Sequence, residues 1–328
     1  MENSIKKAGR CRIGVKADTE PACGRKTEGI MKPYIIAIDL GGTTVKNGLF
    51  TKEGELLEKW EIPTRREEKG AHILPDIAAS VRSLLREKQI SPEEVQGAGI
   101  GIPGPVDEGG YVKGCANLGW GRTNAAGILS ELLSGIPVFV GNDAGVAALG
   151  EQWKGSGSGH DSLVMVTLGT GVGGGIIEKG HIVNGAHGAG GEIGHLTVNP
   201  EETKSCGCGR KGCLEQYASA TGIVRLAEEA LAAPGAVSVL SGKKDLEAKD
   251  IFDAAKSGDA LSQGCVETMG RLLGRALSWI SLVSDPEIIV VGGGVSKAGP
   301  IVTDTIAKYY RAMSFYAVKE TPIVTAKL

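Results

Sequence analysis

The apolar positions of this chain fall into two kinds of run, and the kinds alternate. Short, nearly continuous stretches rich in Ile, Val and Leu occur at YIIAIDL (34–40), GAGIGIPG (97–104), PVFVGND (137–143), SLVMVTL (162–168) and EIIVVGGGVS (287–296). Their length and their Gly or Asn-Asp endings predict buried strands. VKNGLF and ELLEKWEI, parted by the turn signal Lys52-Glu53-Gly54, predict an antiparallel continuation of the first strand. Between these runs the spacing turns helical. Ile73, Ile77, Val81, Leu84 and Leu85 predict a helix within 70–88, and Ser91-Pro92 opens a new element. Further helices are expected over 123–134, behind Asn142-Asp143 through Trp153, over about 214–232 and 259–283, and near 299–312. Gly155–Gly159 reads as a Gly/Ser hinge.

The second half repeats the order of the first. SLVMVTLGTGVGGGII (162–177) is strand, glycine turn, strand, as is YIIAIDLGGTTVKNGLF (34–50). Two βββαβα-like halves predict two α/β lobes with a cleft between them. The glycine turns and Asn142-Asp143, at strand carboxyl ends, should line that cleft. The expected division is a small lobe over 33–147 and a large one over 148–312, with the segment from about 313 to 328 returning to the small lobe. Residues 1–32 carry scattered Lys and Arg and no apolar periodicity. They read as a disordered leader, with an upstream start ahead of Met31 as one origin and a basic binding arm as the alternative.

Composition narrows the classes. A length of 328 residues, with 41% hydrophobic and 23% charged, describes an ordinary globular chain. A formal net charge of -2 gives no electrostatic reason to expect nucleic acid or an anionic membrane as partner. No apolar run is long enough for a transmembrane helix. Seven cysteines without a secretory signal point to a reducing, cytoplasmic compartment.

Four clusters carry candidate chemistry. Asp39, Gly41, Gly42, Thr43, Thr44 and Lys46 share one hairpin turn. Exposed amides and Thr hydroxyls can grip phosphate oxygens there, and Asp39 can hold Mg²⁺ through water. The spacing is not that of a Walker A loop, and a plain hairpin turn is the alternative. Gly169, Thr170 and Gly171 form a second such turn, and the pair suits a clamp on a polyphosphate. Gly292, Gly293 and Gly294 follow a strand and suit a nucleotide lying against backbone, or a simple strand-to-helix turn. His195, Cys206, Cys208 and Cys213 offer one imidazole and three thiolates, a closed structural zinc shell. The alternative is a Gly-rich turn that binds nothing, and Glu192 and Glu215 bracket the cluster either way. Asp143 is the candidate general base for a sugar hydroxyl attacking phosphorus. Helix capping by Asn142 or Asp143 competes with that role. His72, His160, His181 and His187 show no metal spacing.

Taken together, DLGGTTVK (39–46), LGTGVGGG (168–175) and EIGH…CGCGRKGCLE (192–215) resemble the ROK family of bacterial sugar kinases and related repressors, over everything after Met31. The resemblance implies a two-lobed actin-like, hexokinase-like (ribonuclease H-like) α/β fold and phosphorylation of a hexose by ATP with Mg²⁺. It makes Asp143 the catalytic base with Asn142 beside it on the sugar. Glu192, His195 and Glu215 become hydroxyl-binding residues, and Asn117, in NLGW, a further sugar contact. His195, Cys206, Cys208 and Cys213 become the zinc ligands, Gly41 to Lys46 and Gly169 to Gly171 the phosphate loops, and Gly292 to Gly294 the adenosine side. GIPGPVD, NLGW and GEIGH most resemble the glucokinases of the family, which implies glucose as substrate. N-acetylglucosamine, N-acetylmannosamine, mannose and fructose are the alternatives, and a sugar-responsive regulator is a further one. Family analogy implies a homodimer or homotetramer. One departure stands out: the family commonly has NDAN where this chain has Asn142-Asp143-Ala144-Gly145, and a glycine in a first helical turn costs roughly 1 kcal/mol.

Overall fold

The structure, a computed structural model, describes residues 32–328 other than Glu108. Apart from Lys32, the expected leader lies outside the described residues. β1 (Tyr34–Leu40), β2 (Thr44–Thr51) and β3 (Leu56–Pro63) form an antiparallel meander. α1 (Ile73–Glu87) then leads to β4 (Val95–Ile102), which pairs parallel to β1. α2 (Ala125–Leu132) leads to β5 (Val138–Asn142), parallel to β4, and α3 (Asp143–Lys154) follows without a break.

The second sheet repeats this plan. β6 (Leu163–Leu168), β7 (Val172–Glu178) and β8 (His181–Ile182) form its meander. α4 (Ala220–Leu231), α5 (Ala248–Lys256) and α6 (Ala260–Ser284) precede β9 (Ile288–Gly292), which pairs parallel to β6. α7 (Pro300–Met313) precedes β10 (Ile323–Thr325), parallel to β9. Both sheets thus run third, second, first, fourth, fifth strand across their width.

That shared order corrects one expectation. The segment from 313 to 328 does not return to the first lobe. Its strand β10 is the fifth strand of the second sheet, the counterpart of β5 in the first. The expected boundary at 147/148 falls inside α3.

Alternation along the strands decides which layer each residue joins. In β6, Val164, Val166 and Leu168 face a core built with α4 to α7, while Leu163 and Met165 face Ala148 on α3. In β9 every residue is buried, Ile289 and Val291 on the helix-rich side and Ile288 and Val290 toward α3. A parallel strand covered on both faces should read as an unbroken apolar run, and this one does. The first sheet has a separate core with α1 and α2, in which Ile73, Ile77 and Val81 of the predicted helical stripe are fully covered. α3 bridges the two halves. It springs from the last strand of the first sheet and lies on the second, chiefly against β7.

Gly145 finds its reason here. A Cβ on that residue would stand 3.2 Å from Ile182 Cγ2, so the missing side chain lets α3 settle against β8. No helix among the described residues is long and apolar enough to cross a membrane.

Candidate active site

A cavity of about 770 Å³ opens at the carboxyl ends of the strands. Asn117, Asn142, Asp143, Glu192, His195 and Glu215 all line it, so every residue expected on the sugar is brought to one place. Gly169, Gly171 and Gly293 line it too. Asp39, Gly41, Gly42, Thr43, Thr44, Lys46, Thr170, Gly292 and Gly294 do not contribute to its wall. Thr167 and Ala147 line the cavity without having been singled out in the sequence, and the Pro103-Gly104-Pro105 loop of the GIPGPVD motif, to which no ligand role was given, lines it as well.

Asn142 caps α3: its Oδ1 accepts from the amides of Ala144 at 3.0 Å and Gly145 at 3.2 Å. Such a cap stabilises a helix by about 1 kcal/mol. Its Nδ2 donates to the Gly104 carbonyl at 3.2 Å, tying the proline loop to the helix start. The capping role therefore takes the side-chain oxygen of Asn142 and leaves one N–H for a ligand.

Asp143 is thereby freed from capping further down the turn, although its Oδ1 accepts from the Ala144 amide at 2.8 Å. Burial raises its carboxyl above the ordinary range, the Ala144 amide opposes this, and the charge of Asp39 adds to the rise. Strand register explains that neighbour. Asp39 pairs with Gly101, and Gly101 pairs with Gly141, so a residue without a side chain separates the two acids. A Cβ on Gly101 would lie 3.5 Å from Asp143 Cα. Glu192 is also raised by burial, pulled back by His195 and pushed up by Asp143 and Glu215. The site is a cluster of carboxylate acceptors, which suits a neutral ligand rich in hydroxyl donors.

The phosphate-loop candidates have donors to spare. At the first turn the Gly41 amide bonds the Thr44 carbonyl at 3.1 Å, and Thr64 Oγ1 donates to the Gly41 carbonyl at 2.7 Å. The amides of Gly42 and Thr43 have no acceptor among the described residues. The same holds for Thr170 and Gly171. At this second turn the carbonyls are turned away instead: Gly169 accepts from the Ala220 amide and Thr170 from Thr221 Oγ1, both at 2.8 Å. Free amides on a glycine turn are an anion-binding arrangement. Gly171 has a second reason to be glycine, because a Cβ there would collide with the Glu215 carboxylate. Glu215 Oε2 also accepts from the Val172 amide at 3.1 Å, so one side chain links the sugar cavity to the second turn. Gly293, at φ +84°, packs on the backbone of Leu168, whereas Gly292 makes room for Met165 and Ala326.

His195, Cys206, Cys208 and Cys213 place one donor atom each within 4.8 Å of one another. Cys208 and Cys213 Sγ are 3.7 Å apart, and His195 Nδ1 is 3.8 Å from Cys206 Sγ. A tetrahedron with metal–sulfur bonds of about 2.3 Å has edges of about 3.8 Å, so the donor set fits a metal of that kind. Turns at Gly209 (φ +83°) and Gly212 (φ +71°) fold the loop onto this point. A polar network holds the loop from outside: Tyr217 Oη donates to Glu202 at 2.6 Å, and Arg225 pairs with Glu202 at 3.2 Å. Burial pushes the Glu202 carboxyl up, but Tyr217, the Lys204 amide, the charge of Arg225 and the Thr203 amide together lower it to about 2.

A family model, that of the ROK family, matches residues 35–328. The chain belongs to the ROK family. This ROK protein is 41% identical over 292 residues to a glucokinase of Halalkalibacterium halodurans, spanning 88% of each chain. Its structure is similar to that of a ROK family glucokinase from Streptomyces griseus in complex with glucose and AMPPNP. That likeness has a TM-score of 0.72 and 33% identity, and it covers 90% of this chain and 95% of the other. It is also similar to a ROK family transcriptional regulator described as a homolog of an E. coli protein. There the TM-score is 0.81 with 26% identity, covering 91% of this chain and 75% of the regulator. The two-lobed α/β fold expected from the family motifs is the fold observed.

Proposed function

We propose that this protein transfers the γ-phosphoryl group of ATP to the 6-hydroxyl of glucose. The observation that carries the reading is the position of Asp143. A carboxylate of raised pKa that opens onto the cavity shares it with Asn117, Glu192, His195 and Glu215, beside the Gly169–Gly171 turn, where the Thr170 and Gly171 amides lack acceptors among the described residues. The glucokinase names among its relatives support the choice of sugar.

In this reading Glu192 and Glu215 accept from the sugar hydroxyls, His195 donates its Nε2–H to one, and together they fix the ring. Asp143 then takes the proton of the 6-hydroxyl as its oxygen attacks phosphorus, and a base of raised pKa holds that proton better than an ordinary aspartate. The amides of Gly42, Thr43, Thr170 and Gly171 hold the transferring phosphates in line. Asp39 and Asp143, facing each other across Gly101, would hold Mg²⁺ through water, and the ion supplies charge neutralisation between the phosphates. His195, Cys206, Cys208 and Cys213 would hold a structural zinc. With Nδ1 of His195 turned to the cysteines, its Nε2 remains for the sugar. A hollow of about 480 Å³ beyond Thr170, lined by Thr221, Val224, Leu246 and Ala248, suits the nucleoside end of ATP.

The test is ADP release with Mg-ATP over glucose, mannose, fructose, N-acetylglucosamine and N-acetylmannosamine. Turnover on glucose above the others is the expected result. Preference for an acetamido sugar would keep the mechanism and replace the substrate. Silence on all five, with glucose still bound, would favour a sugar-sensing role over catalysis.

A further inference from the structure

Glu151 is 1% exposed, and every hydrogen bond its carboxylate accepts from the described residues comes from a backbone amide. Oε2 accepts from Ser156 at 2.7 Å. Lys327 donates to both oxygens at 3.0 and 3.2 Å, and Leu328 donates to Oε1 at 2.7 Å. Gly155 has to be glycine because a Cβ there would collide with this carboxylate. Ser156 adds a bond of its own, Oγ to the Thr325 carbonyl at 2.7 Å. A carboxylate taken out of water is costly unless its acceptors are filled, and here amides from two distant segments fill them.

The two segments matter for where they lead. Glu151 sits near the end of α3, whose first residue is Asp143. Lys327 and Leu328 continue β10, which pairs with β9, and β9 ends in the Gly292-Gly293 turn beside the cavity. The Ala326 amide donates to the Val291 carbonyl at 2.9 Å, and its Cβ would lie 3.1 Å from one on Gly292. A continuous path of bonded groups thus runs from the turn at the end of β9 through the tail to Glu151, and along α3 to the base.

We infer that Glu151 is a positioning residue: by clamping 327–328 to the end of α3, it makes the Asp143 helix and the Gly292-Gly293 turn move as one body. The inference rests on the phosphotransfer reading above. Phosphoryl transfer depends on the base, the hydroxyl and the phosphorus holding a near-attack geometry, and displacement of about 1 Å can cost on the order of 100-fold in rate. The clamp touches none of the sugar contacts, so it should govern kcat and leave the KM for glucose alone.

The experiment compares Glu151→Gln, a variant lacking Lys327 and Leu328, and the two changes combined, with rates normalised to glucose-binding sites. Gln keeps the shape but replaces one acceptor oxygen with a donor that faces the amides. The deletion removes two exposed side chains together with their amide bonds to the buried Glu151 carboxylate, so a thermal melt of each variant accompanies the kinetics. The expected result is a fall in kcat of roughly tenfold or more in each variant, with the KM for glucose within about twofold. The combined variant should be no slower than the slower single one, because both changes cut the same link. Unchanged kcat per site in Glu151→Gln, or losses that multiply in the combined variant, would overturn the inference. Amide exchange at Leu328, protected in the wild type and fast in Glu151→Gln, reads the clamp without turnover. Wild-type activity on glucose, measured alongside, tests the function itself, so failure of one reading is distinguishable from failure of the other.

Discussion

Gly175→Ala tests whether the seat of α3 sets the position of the base. Gly175 is buried in β7 opposite Met165, directly beneath the helix. A Cβ on it would stand 2.5 Å from Ala148 Cβ and 2.7 Å from the Ala144 carbonyl oxygen. Carbon atoms rest about 3.5–4.0 Å apart, so the helix must retreat by about 1 Å or the strand must buckle. Ala148 is fully buried and has nowhere to turn. Overpacking of this kind costs roughly 1–3 kcal/mol, which in a domain of this size lowers Tm by roughly 2–8 °C. The same retreat carries Asp143 away from the attacking hydroxyl, and about 1 Å of misplacement predicts a loss on the order of 100-fold in kcat. Coupled-enzyme turnover and a thermal melt on the same preparation separate the two effects. A folded variant with wild-type kcat would refute the reasoning, since the base would then not depend on how closely α3 lies on β7.

Asp143→Ala should lower kcat by about 10²–10⁴-fold while calorimetry still detects glucose; substantial turnover would remove its role as base. The raised pKa of Asp143 has a definite sign. Its ionised form is disfavoured in the fold, so kcat/KM should fall as pH drops through a value above the ordinary aspartate range of about 3.9. For stability, Asp143→Asn should raise Tm above that folded-state value, the gain fading as pH falls and vanishing below about 3.9. An Asn variant that melts no higher at pH 8 would contradict the cost assigned to burial. Cys208→Ser should abolish bound zinc by elemental analysis and weaken glucose binding, because His195 then loses its anchor; full activity without metal would end the structural-zinc reading. Tyr310→Phe removes the buried hydroxyl that donates to the Val318 carbonyl at 2.8 Å and leaves that carbonyl the Thr321 amide at 3.1 Å. The expected loss is about 0.5–1.5 kcal/mol of stability with kcat unchanged, read by denaturant titration.

The glycine turns and the acid after β5 were legible because their chemistry is written in single residues at strand ends. The cysteine loop was legible for the same reason. Other parts depended on packing that leaves no local mark. β10 has three residues and no alternation, and only the vacant edge beside β9 explains where it goes. α5 carries an apolar stripe at Ile251, Phe252 and Ala255, but it lies between polar stretches that masked it. The pairing of Tyr111–Val112 with Thr123–Asn124, which frames the Asn117 loop, is too short for any period to show. Gly145 looked like a flaw in a helix until Ile182 came to lie against it. Gly171 looked like a phosphate-loop residue alone, and its contact with Glu215 gives it a second purpose.

The matching strand orders of the two sheets are reached along the chain in different ways. The first sheet is complete at Asn142, and its core needs nothing beyond α2 and β5. The second sheet opens at Leu163 but receives its fifth strand only at Ile323. At ribosomal speeds of about 5–20 residues per second, the interval between the two completions is on the order of ten to forty seconds. Through that interval the first sheet stands finished while β9, once made, has an open edge. The nascent chain is thus most prone to wrong pairing during that interval, and the short strand β10 closes the open edge of β9.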